Sequence, residues 1–301
     1  MNHANQKSNT VGVLCAIGCE TLYGLSYIFT KQATACASEL ALLGWRFFLA
    51  VLVMSLCVLF GLIKVNLKGK PLKPLLLVAL CSPCVYFIAE TIGISHTTAS
   101  ESGVFLACIP VASLIASTLI LKEKPSKMQL IGILITLAGV LITVFAVSAS
   151  SSLSVLGYAF LLVAVVSYAL YSVFVDKAAA YTGAEITYVM LLSGAALFIL
   201  LAVAEAGFHG TISELVRLPF QEPSFLIAIL YQGIGCSVLA FFLSNLAISK
   251  IGVNRTSSFI GIATVVSILA GALLLKESFT GYQIAGALVI IAGVYTANIK
   301  K

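Results

Sequence analysis

Charged residues are scarce in this chain. Only 9% of its 301 residues are Asp, Glu, Lys or Arg, whereas 60% are hydrophobic. A soluble domain carries roughly 25% charged residues, so these charges are too few to cover a surface that faces water. Most of the surface must therefore face lipid, which excludes an ordinary soluble globular protein.

Motifs for common chemistries are also missing. The sequence holds no G-x-x-x-x-G-K-[ST] run, no H-E-x-x-H and no G-x-S-x-G. No Lys/Arg run alternates with aromatic residues, so a nucleic-acid partner is not expected. Cys81 and Cys84 have the spacing of a metal or redox pair, but no second pair follows. We therefore expect neither a metal, nor a cofactor, nor an enzyme.

Long apolar segments dominate what is present. A membrane-spanning helix needs about 20 mostly apolar residues, and ten segments qualify. They cover residues 12–31, 39–62, 74–94, 99–121, 128–147, 155–176, 185–205, 224–247, 256–275 and 281–298. The connections are short, except for one longer loop over 207–223. The sequence thus predicts an all-α polytopic membrane protein with ten transmembrane helices and no cleavable signal peptide.

The chain also contains an internal duplication. The Leu-Lys-Glu tripeptide at 121–123 recurs at 275–277, and each copy is followed at matching positions by Gln, Gly and Ala-Gly-Val. A fixed offset between long segments indicates a repeated unit, so we expect one five-helix repeat over 1–150 and a second over 151–301. Because five is odd, the second repeat is inverted, which places a substrate site near the midplane. We expect the repeated Glu to accept from amides at the start of the next helix.

The distribution of Lys and Arg predicts the orientation. If the N-terminus is cytoplasmic, the outer connections hold only Lys31, Arg217 and Lys276, and the inner ones hold thirteen basic residues. Cytoplasmic loops carry such an excess, so both termini are predicted to be cytoplasmic. The compact chain, without a targeting peptide or a long loop for glycosylation, indicates a prokaryotic plasma membrane.

Three ionisable residues lie inside apolar segments, namely Glu20, Arg46 and Glu90. A charge at the bilayer centre costs at least about 2.5 kcal/mol and usually faces a partner or a wet cavity. At about 1.5 Å per residue, Arg46 and Glu90 lie roughly 20 and 24 Å from the inner edge, so we expect them to pair or to face one cavity. Glu20 lies at roughly 12 Å with no basic residue at its level. A carboxyl in that position favours its protonated form, which makes Glu20 a candidate for proton coupling.

Tyrosines surround these charges along the sequence. Glu20, Tyr23 and Tyr27 fall on one face of the first helix, and further phenols occur in the sixth and eighth helices. The candidate substrate-binding residues are Tyr23, Tyr27, Arg46, Glu90, Tyr168, Tyr171, Tyr231 and Gln232. Each has a structural alternative: Arg46 and Glu90 as a clamp between helices, Glu20 as a neutral carboxyl bonded to a neighbour, and the tyrosines as packing residues.

Taken together, the motifs resemble the drug/metabolite transporter superfamily, in particular its EamA-like branch. The resemblance rests on the duplicated tripeptide and its companions, on Arg-Phe-Phe-Leu-Ala at 46–50, on Tyr-Gly at 23–24 and on Ile-Pro-Val at 109–111. Thr264 departs from it, because the second copy should repeat the proline. The resemblance implies ten helices and an exporter of amino acids, other small metabolites or drugs that does not hydrolyse ATP.

We therefore predict a secondary transporter that exports amino acids, amines or drug-like solutes by alternating access, with protons through Glu20 as the simplest energy source. Its expected partners are a small-molecule substrate and the lipid bilayer. Small residues at Gly132, Gly139, Gly286 and Gly293 indicate close helix packing or a homodimer face, so the chain is expected as a monomer or homodimer. The alternatives are an exchanger or flippase for nucleotide-sugar or lipid-linked substrates, a membrane sensor, and an intramembrane enzyme.

Overall fold

The structure, a computed structural model, describes residues 3–96, 105–145, 154–275 and 281–299. Within these ranges the chain is helical, without strands. The helices are α1 (His3–Thr34), α2 (Glu39–Leu59), α3 (Leu72–Ala79, Leu80–Val85 and Tyr86–Ser95 in succession), α4 (Ile109–Ala116 and Ser117–Leu121), α5 (Lys127–Phe145), α6 (Val155–Lys177), α7 (Gly183–His209), α8 (Ile212–Gln221), α9 (Pro223–Leu230, Tyr231–Ala240 and Phe241–Ile251), α10 (Val253–Ser257), α11 (Gly261–Leu275) and α12 (Gly281–Ala297).

Six of the described helices are long and apolar enough to cross a membrane, by length and composition: α1, α2, α3, α6, α7 and α9. Shorter apolar helical stretches cover Phe105–Leu121, Lys127–Ile142 and Ile284–Ala297. The described part of the chain is thus all-α with several membrane spans. Ten crossings and an inverted repeat stay predictions.

Two predicted boundaries are wrong. The connection expected over 207–223 contains α8, because its apolar and polar residues alternate at the helical period. The segment expected over 256–275 is divided into α10 and α11 by a turn, in which the amides of Phe259 and Ile260 bond to the carbonyls of Thr256 and Ser257.

Helices α4 and α9 each contain a stretch of wider π-helical turns. Such turns frequently mark functional sites. The stretch in α9, Tyr231–Ala240, carries the buried polar residues Gln232 and Ser237. Helix α3 is instead kinked at Ser82, whose backbone is not helical and which is joined to Pro83 by a cis peptide bond. The wide turns of α9 therefore coincide with the polar part of the bundle.

An aromatic core joins α2, α3, α7 and α9. The ring of Phe47 lies 5.1 Å from that of Phe198, 5.7 Å from Phe87 and 6.3 Å from Phe241, measured between centroids. Phe47 and Phe198 are completely buried. Because these helices come from both the earlier and the later part of the chain, the core fixes the two parts against each other.

Helices α5 and α12 pack closely through small residues. A Cβ added at Gly139 would lie 2.7 Å from the backbone nitrogen of Ile290, and one at Gly293 would lie 2.5 Å from that of Thr136. Only glycine allows this approach. The close packing expected for these residues is present, but it occurs within one chain, so this face is occupied and is not a free homodimer surface.

Candidate functional site

Arg46 lies at the centre of a buried polar cluster. Its Nε donates to Oγ of Ser237 at 2.7 Å, and its Nη1 donates to Oε1 of Gln232 at 2.9 Å. Nε2 of Gln232 then donates to Oγ1 of Thr30 at 2.7 Å. The wide turns of α9 supply both partners of the arginine. One guanidinium therefore connects α2 to α9 and, through an amide, to α1.

Aromatic faces and a carboxyl complete the surroundings of this arginine. Its Cζ lies 4.8 Å from the ring centroid of Phe87 and 5.6 Å from that of Phe47, within the range of cation–π attraction. Glu90 interacts with Arg46 electrostatically, but the two form no ion pair within 4 Å in the described chain. Oε1 of Glu90 instead accepts from the Tyr86 hydroxyl at 2.7 Å. The two charges thus share one region without direct contact.

Glu20 lies on the α1 side of the cluster and is only 5% exposed. Its carboxyl lies near the phenols of Tyr168 and Tyr171 on α6. Among the residues the structure describes, no basic side chain forms an ion pair with it. The role of Glu20 in proton coupling remains a prediction.

A row of phenols extends between the two carboxyls. The ring of Tyr86 lies 5.6 Å from that of Tyr168, which lies 5.4 Å from that of Tyr171. The Tyr86 hydroxyl donates a hydrogen bond to Glu90, and Tyr168 lies near Glu20. The row therefore extends from α3 to α1 by way of α6. We call Tyr86, Tyr168 and Tyr171 the tyrosine row. The structure therefore brings Glu20, Glu90, Tyr168 and Tyr171 into one region.

The remaining candidate tyrosines are placed differently. Tyr23 lies near Arg46 and near Tyr168 and Tyr171, so it belongs to the cluster. The Tyr231 hydroxyl donates to the carbonyl of Leu22 at 2.8 Å, and its ring stacks on Phe29 at 4.1 Å. Tyr231 therefore links α9 to α1, and both its hydroxyl and its ring are engaged in that contact. The side chain of Tyr27 lies outside what the structure describes.

Several residues of the cluster were missed by sequence reasoning. Tyr86 lies four residues before Glu90, a spacing that places both on one helix face and could have identified it. Asn245 accepts from the Tyr171 hydroxyl at 2.7 Å and donates to Thr187 Oγ1 at 3.0 Å. The signal available for Asn245 was that it and Gln232 are the two amides of the apolar segment over 224–247. Tyr171 is thereby committed to a structural hydrogen bond.

A second polar site lies where α4 ends near α10. Oε2 of Glu123 accepts from Nδ2 of Asn254 at 2.9 Å, and Oδ1 of Asn254 accepts from the buried Ser117 hydroxyl at 2.6 Å. We call these three residues the Glu123 junction. Burial raises the pKa of Glu123, and the nearby carboxyl of Asp176 raises it further.

The Glu123 junction corrects one sequence expectation. Glu123 was expected to accept from amides at the start of α5, but Ser126 and Gln129 cap that helix instead. The Ser126 amide donates to Oε1 of Gln129 at 2.8 Å, and the Gln129 amide donates to Oγ of Ser126 at 3.1 Å. A cavity of about 260 Å³ lies beside the junction, lined by Glu123, Lys124, Gln129, Ile251, Gly252, Asn254 and Arg255.

Comparison with known proteins identifies relatives over nearly the whole chain. The model of the EamA-like transporter family matches residues 10–145 and, separately, 155–299. The uncharacterized transporter YcxC of Bacillus subtilis is 32% identical over 97% of this chain and 94% of its own length. A probable amino-acid metabolite efflux pump of Salmonella typhimurium is 25% identical over 82% of this chain and 93% of its own length.

The fold also has a counterpart among solved structures. One crystal structure superimposes with a TM-score of 0.78 and covers 96% of this chain and 98% of its own, at 18% sequence identity. At that identity the likeness concerns the fold alone. The family resemblance inferred from the duplicated motif is confirmed by the family match.

Proposed function

Because the chain belongs to the EamA-like transporter family, and is therefore a multi-pass membrane transporter, we propose that it exports small organic metabolites by alternating access. The observation that carries this proposal is the buried polar cluster around Arg46 and Glu20. Ionisable groups inside an apolar bundle are expensive, and they are retained mostly where they face a substrate or an ion path. Export is further supported by the similarity to the Salmonella protein, which is named a probable amino-acid metabolite efflux pump.

The proposed architecture consists of two inverted five-helix repeats. The two separate matches of one family model support a duplication, because each covers about half of the chain. The cluster takes Glu20, Arg46 and Glu90 from the first proposed repeat, and Tyr168 and Gln232 from the second. A site shared between repeats is what alternating access requires, since the repeats rock against each other around it.

The chemistry of the cluster favours a substrate that carries an amine. Two nitrogens of Arg46 are already engaged by Ser237 and Gln232, which limits what the guanidinium can offer to a carboxylate. Glu20 and Glu90 have no ion pair with a described basic residue, and phenol rings lie between them. Carboxyls and aromatic faces attract ammonium groups. Amino acids and amines are therefore the proposed substrates.

Proton coupling through Glu20 is the proposed energy source. Glu90 would hold the outgoing ammonium group on the export stroke, and the Glu20 carboxyl would carry a proton inward on the return stroke. The tyrosine row supplies hydroxyls beside this carboxyl. Both termini are proposed to be cytoplasmic in a bacterial plasma membrane, so that α4, α5 and α10 meet on the inner side.

For the transporter to open towards the cytoplasm, the hydrogen bonds of the Glu123 junction would have to break. Glu123 and Ser117 belong to the first proposed repeat and Asn254 to the second, so their hydrogen bonds tie the repeats together. The adjacent cavity contains Lys124 and Arg255 as well as Glu123. We propose that the junction holds the inner side closed in the conformation described.

Counterflow in proteoliposomes tests this proposal. Purified protein is reconstituted with unlabelled solute inside, and uptake of radiolabelled amino acids and amines is measured with and without a pH gradient. We expect counterflow of at least one amine-bearing solute. Counterflow of nucleotide sugars or lipid turnover, with none for any amine-bearing solute, would overturn the proposed substrate class.

The role of Glu20 is tested separately with Glu20→Gln. We expect this variant to lose flux driven by the pH gradient and to retain exchange. Glu39→Gln, which changes an exposed carboxyl at the start of α2, is the matched control and should retain both. If Glu20→Gln keeps gradient-driven flux, the assignment of proton coupling is wrong.

A further inference from the structure

Helix α8 (Ile212–Gln221) is amphipathic to a degree unusual in this chain. Its apolar residues occupy one side and its polar residues the other, as the helical period requires. The apolar side consists of Ile212, Leu215, Val216, Leu218, Pro219 and Phe220, and the polar side of Ser213, Glu214, Arg217 and Gln221. The polar residues are all exposed. This pattern differs from the spanning helices, which are apolar around most of their circumference.

One part of the apolar side packs against the bundle. Nε1 of Trp45 on α2 donates to the carbonyl of Leu215 at 2.9 Å. Pro219 is buried, and Leu218 packs on a small core that includes Phe225 and Leu42. Helix α8 is therefore fixed to the ends of α2 and α9. Since Trp45 precedes Arg46, the same hydrogen bond attaches α8 to the helix that carries the buried arginine.

The other part of the apolar side is largely exposed in the described part of the chain. Phe220 is 85% exposed, Val216 55% and Ile212 48%, and Phe208, at the end of α7, is 91% exposed. We call Phe208, Ile212, Val216 and Phe220 the apolar edge. Exposing two phenylalanine side chains to water is unfavourable in free energy, so we expect another apolar surface to cover them.

The position of the apolar edge identifies what covers it. The neighbouring helices continue the exposed apolar surface, with Leu200 and Val203 on α7 and Leu226 and Ile227 on α9. These residues belong to helices that are long and apolar enough to cross a membrane, so their exposed side chains are expected to face lipid. The apolar edge is therefore the end of the lipid-facing band. At the opposite side of α8, charged residues point away from that band.

We propose that α8 is an interfacial helix, whose apolar edge contacts phospholipid acyl chains while its polar side faces the headgroups and water. Helices of this kind lie in the membrane plane with the apolar face about 5–10 Å into the boundary between headgroups and acyl chains. The proposal concerns an interaction surface with lipid and does not depend on the transported substrate.

Tryptophan fluorescence in brominated lipids tests the proposal. Trp45 is the one tryptophan of the chain and stays in place, so that its signal in the parent protein can be subtracted. Phe220→Trp and Val216→Trp place a reporter on the apolar edge, and Glu214→Trp places the matched control on the polar side. Each variant is reconstituted into phosphatidylcholine vesicles with bromine either near the headgroup or near the chain end.

We expect the edge reporters to emit at shorter wavelength than the control and to lose more intensity with shallow bromine than with deep bromine. The control should be quenched mainly by iodide in the water. Equal lipid quenching at edge and polar positions would overturn the proposal. So would lipid quenching of Phe220→Trp that falls as protein density in the vesicle rises, because a second copy would then cover the edge. Unfolding temperatures of all variants exclude misfolding as the cause.

Discussion

Removal of the Glu123 carboxylate, by Glu123→Ala, should shift the protein towards its inward-open form. Oε2 of Glu123 holds Nδ2 of Asn254 at 2.9 Å across the two proposed repeats. A hydrogen bond to a charged group contributes about 1.5–3 kcal/mol. Because Glu123 is half-buried, solvent weakens the bond and the lower end applies. About 1.5 kcal/mol corresponds to roughly a tenfold change in the ratio of open to closed molecules.

Cys19 provides the assay, because it is buried directly before Glu20 in the cluster. Its alkylation by N-ethylmaleimide, followed by peptide-resolved mass spectrometry, should be roughly tenfold faster in Glu123→Ala. The exposed Cys36 serves as an internal reference for reagent activity. Lys124→Ala, which changes an exposed residue of the same cavity, should leave the Cys19 rate unchanged. An unchanged rate in Glu123→Ala, with the fold intact, would refute the reasoning.

A double-mutant comparison separates the junction from nonspecific loosening. Asn254→Ala removes the other half of the same hydrogen bond and should also accelerate Cys19 alkylation. If the bond between Glu123 and Asn254 carries the effect, the double variant should add little to either single change. Independent, additive accelerations would mean that each substitution disturbs the fold separately and that the junction does not act as a unit.

The pH dependence of the junction has a definite sign. Burial and the carboxyl of Asp176 raise the pKa of Glu123, so the folded chain binds this proton more tightly than the unfolded chain does. The resulting stability is present below the ordinary carboxyl pKa and is lost as pH rises through the raised value. Lys124 and Arg255 line the same cavity, and the pKa of Glu123 is raised with both of them present. Glu123→Gln should therefore gain stability relative to the unmodified protein as pH rises, measured by unfolding temperature; a difference independent of pH would contradict this.

Three further predictions concern the framework around the site. Arg46→Lys cannot reach both Ser237 and Gln232, so it should lose about 1–3 kcal/mol of stability and most counterflow; unchanged unfolding temperature would argue against the bridging role. Gly293→Leu should cost about 1–3 kcal/mol by overpacking, whereas Gly281→Leu, which has open space, should not. Glu185→Ala removes the acceptor of the Lys70 ammonium, 2.7 Å away. It should speed proteolysis of the loop over 60–71, which carries Lys70; equal cleavage of the variant and the unmodified protein would contradict this.

The sequence identified the costly charges but not their bonds. Glu20, Arg46 and Glu90 stand out because an apolar segment tolerates few charges, and the structure brings all three to one cluster. The partners of Arg46 lie 186 and 191 residues away, and no local pattern announces such a pair. The wide turns of α9 that orient Gln232 and Ser237 likewise leave no periodic signal. The cluster was thus predictable by residue type, and its connections were not.

Helix α8 and the Glu123 junction were not predicted from the sequence, for different reasons. A spanning helix needs about 20 apolar residues, so a ten-residue amphipathic helix does not meet that criterion. Its apolar residues nevertheless follow the helical period. The Leu-Lys-Glu tripeptide was visible as a repeat, but a repeat does not specify the partner of its glutamate. Local capping chemistry was already supplied by Ser126 and Gln129, which left the Glu123 carboxylate available for Asn254.

The bonding of Arg46 changes the electrostatic balance of the proposed site. The sequence made this arginine a candidate substrate-binding residue, yet its Nε and Nη1 bond to side chains of α9 and its guanidinium lies against the ring of Phe87. Releasing them would leave buried donors unpaired, at a cost that one carboxylate would have to exceed. In the proposed mechanism, Glu20 and Glu90 are therefore the groups that change charge. The proposed site combines a guanidinium held in place by hydrogen bonds with two carboxyls that can gain or lose a proton. Such a site is suited to exchange protons for an ammonium group, rather than to bind an anion.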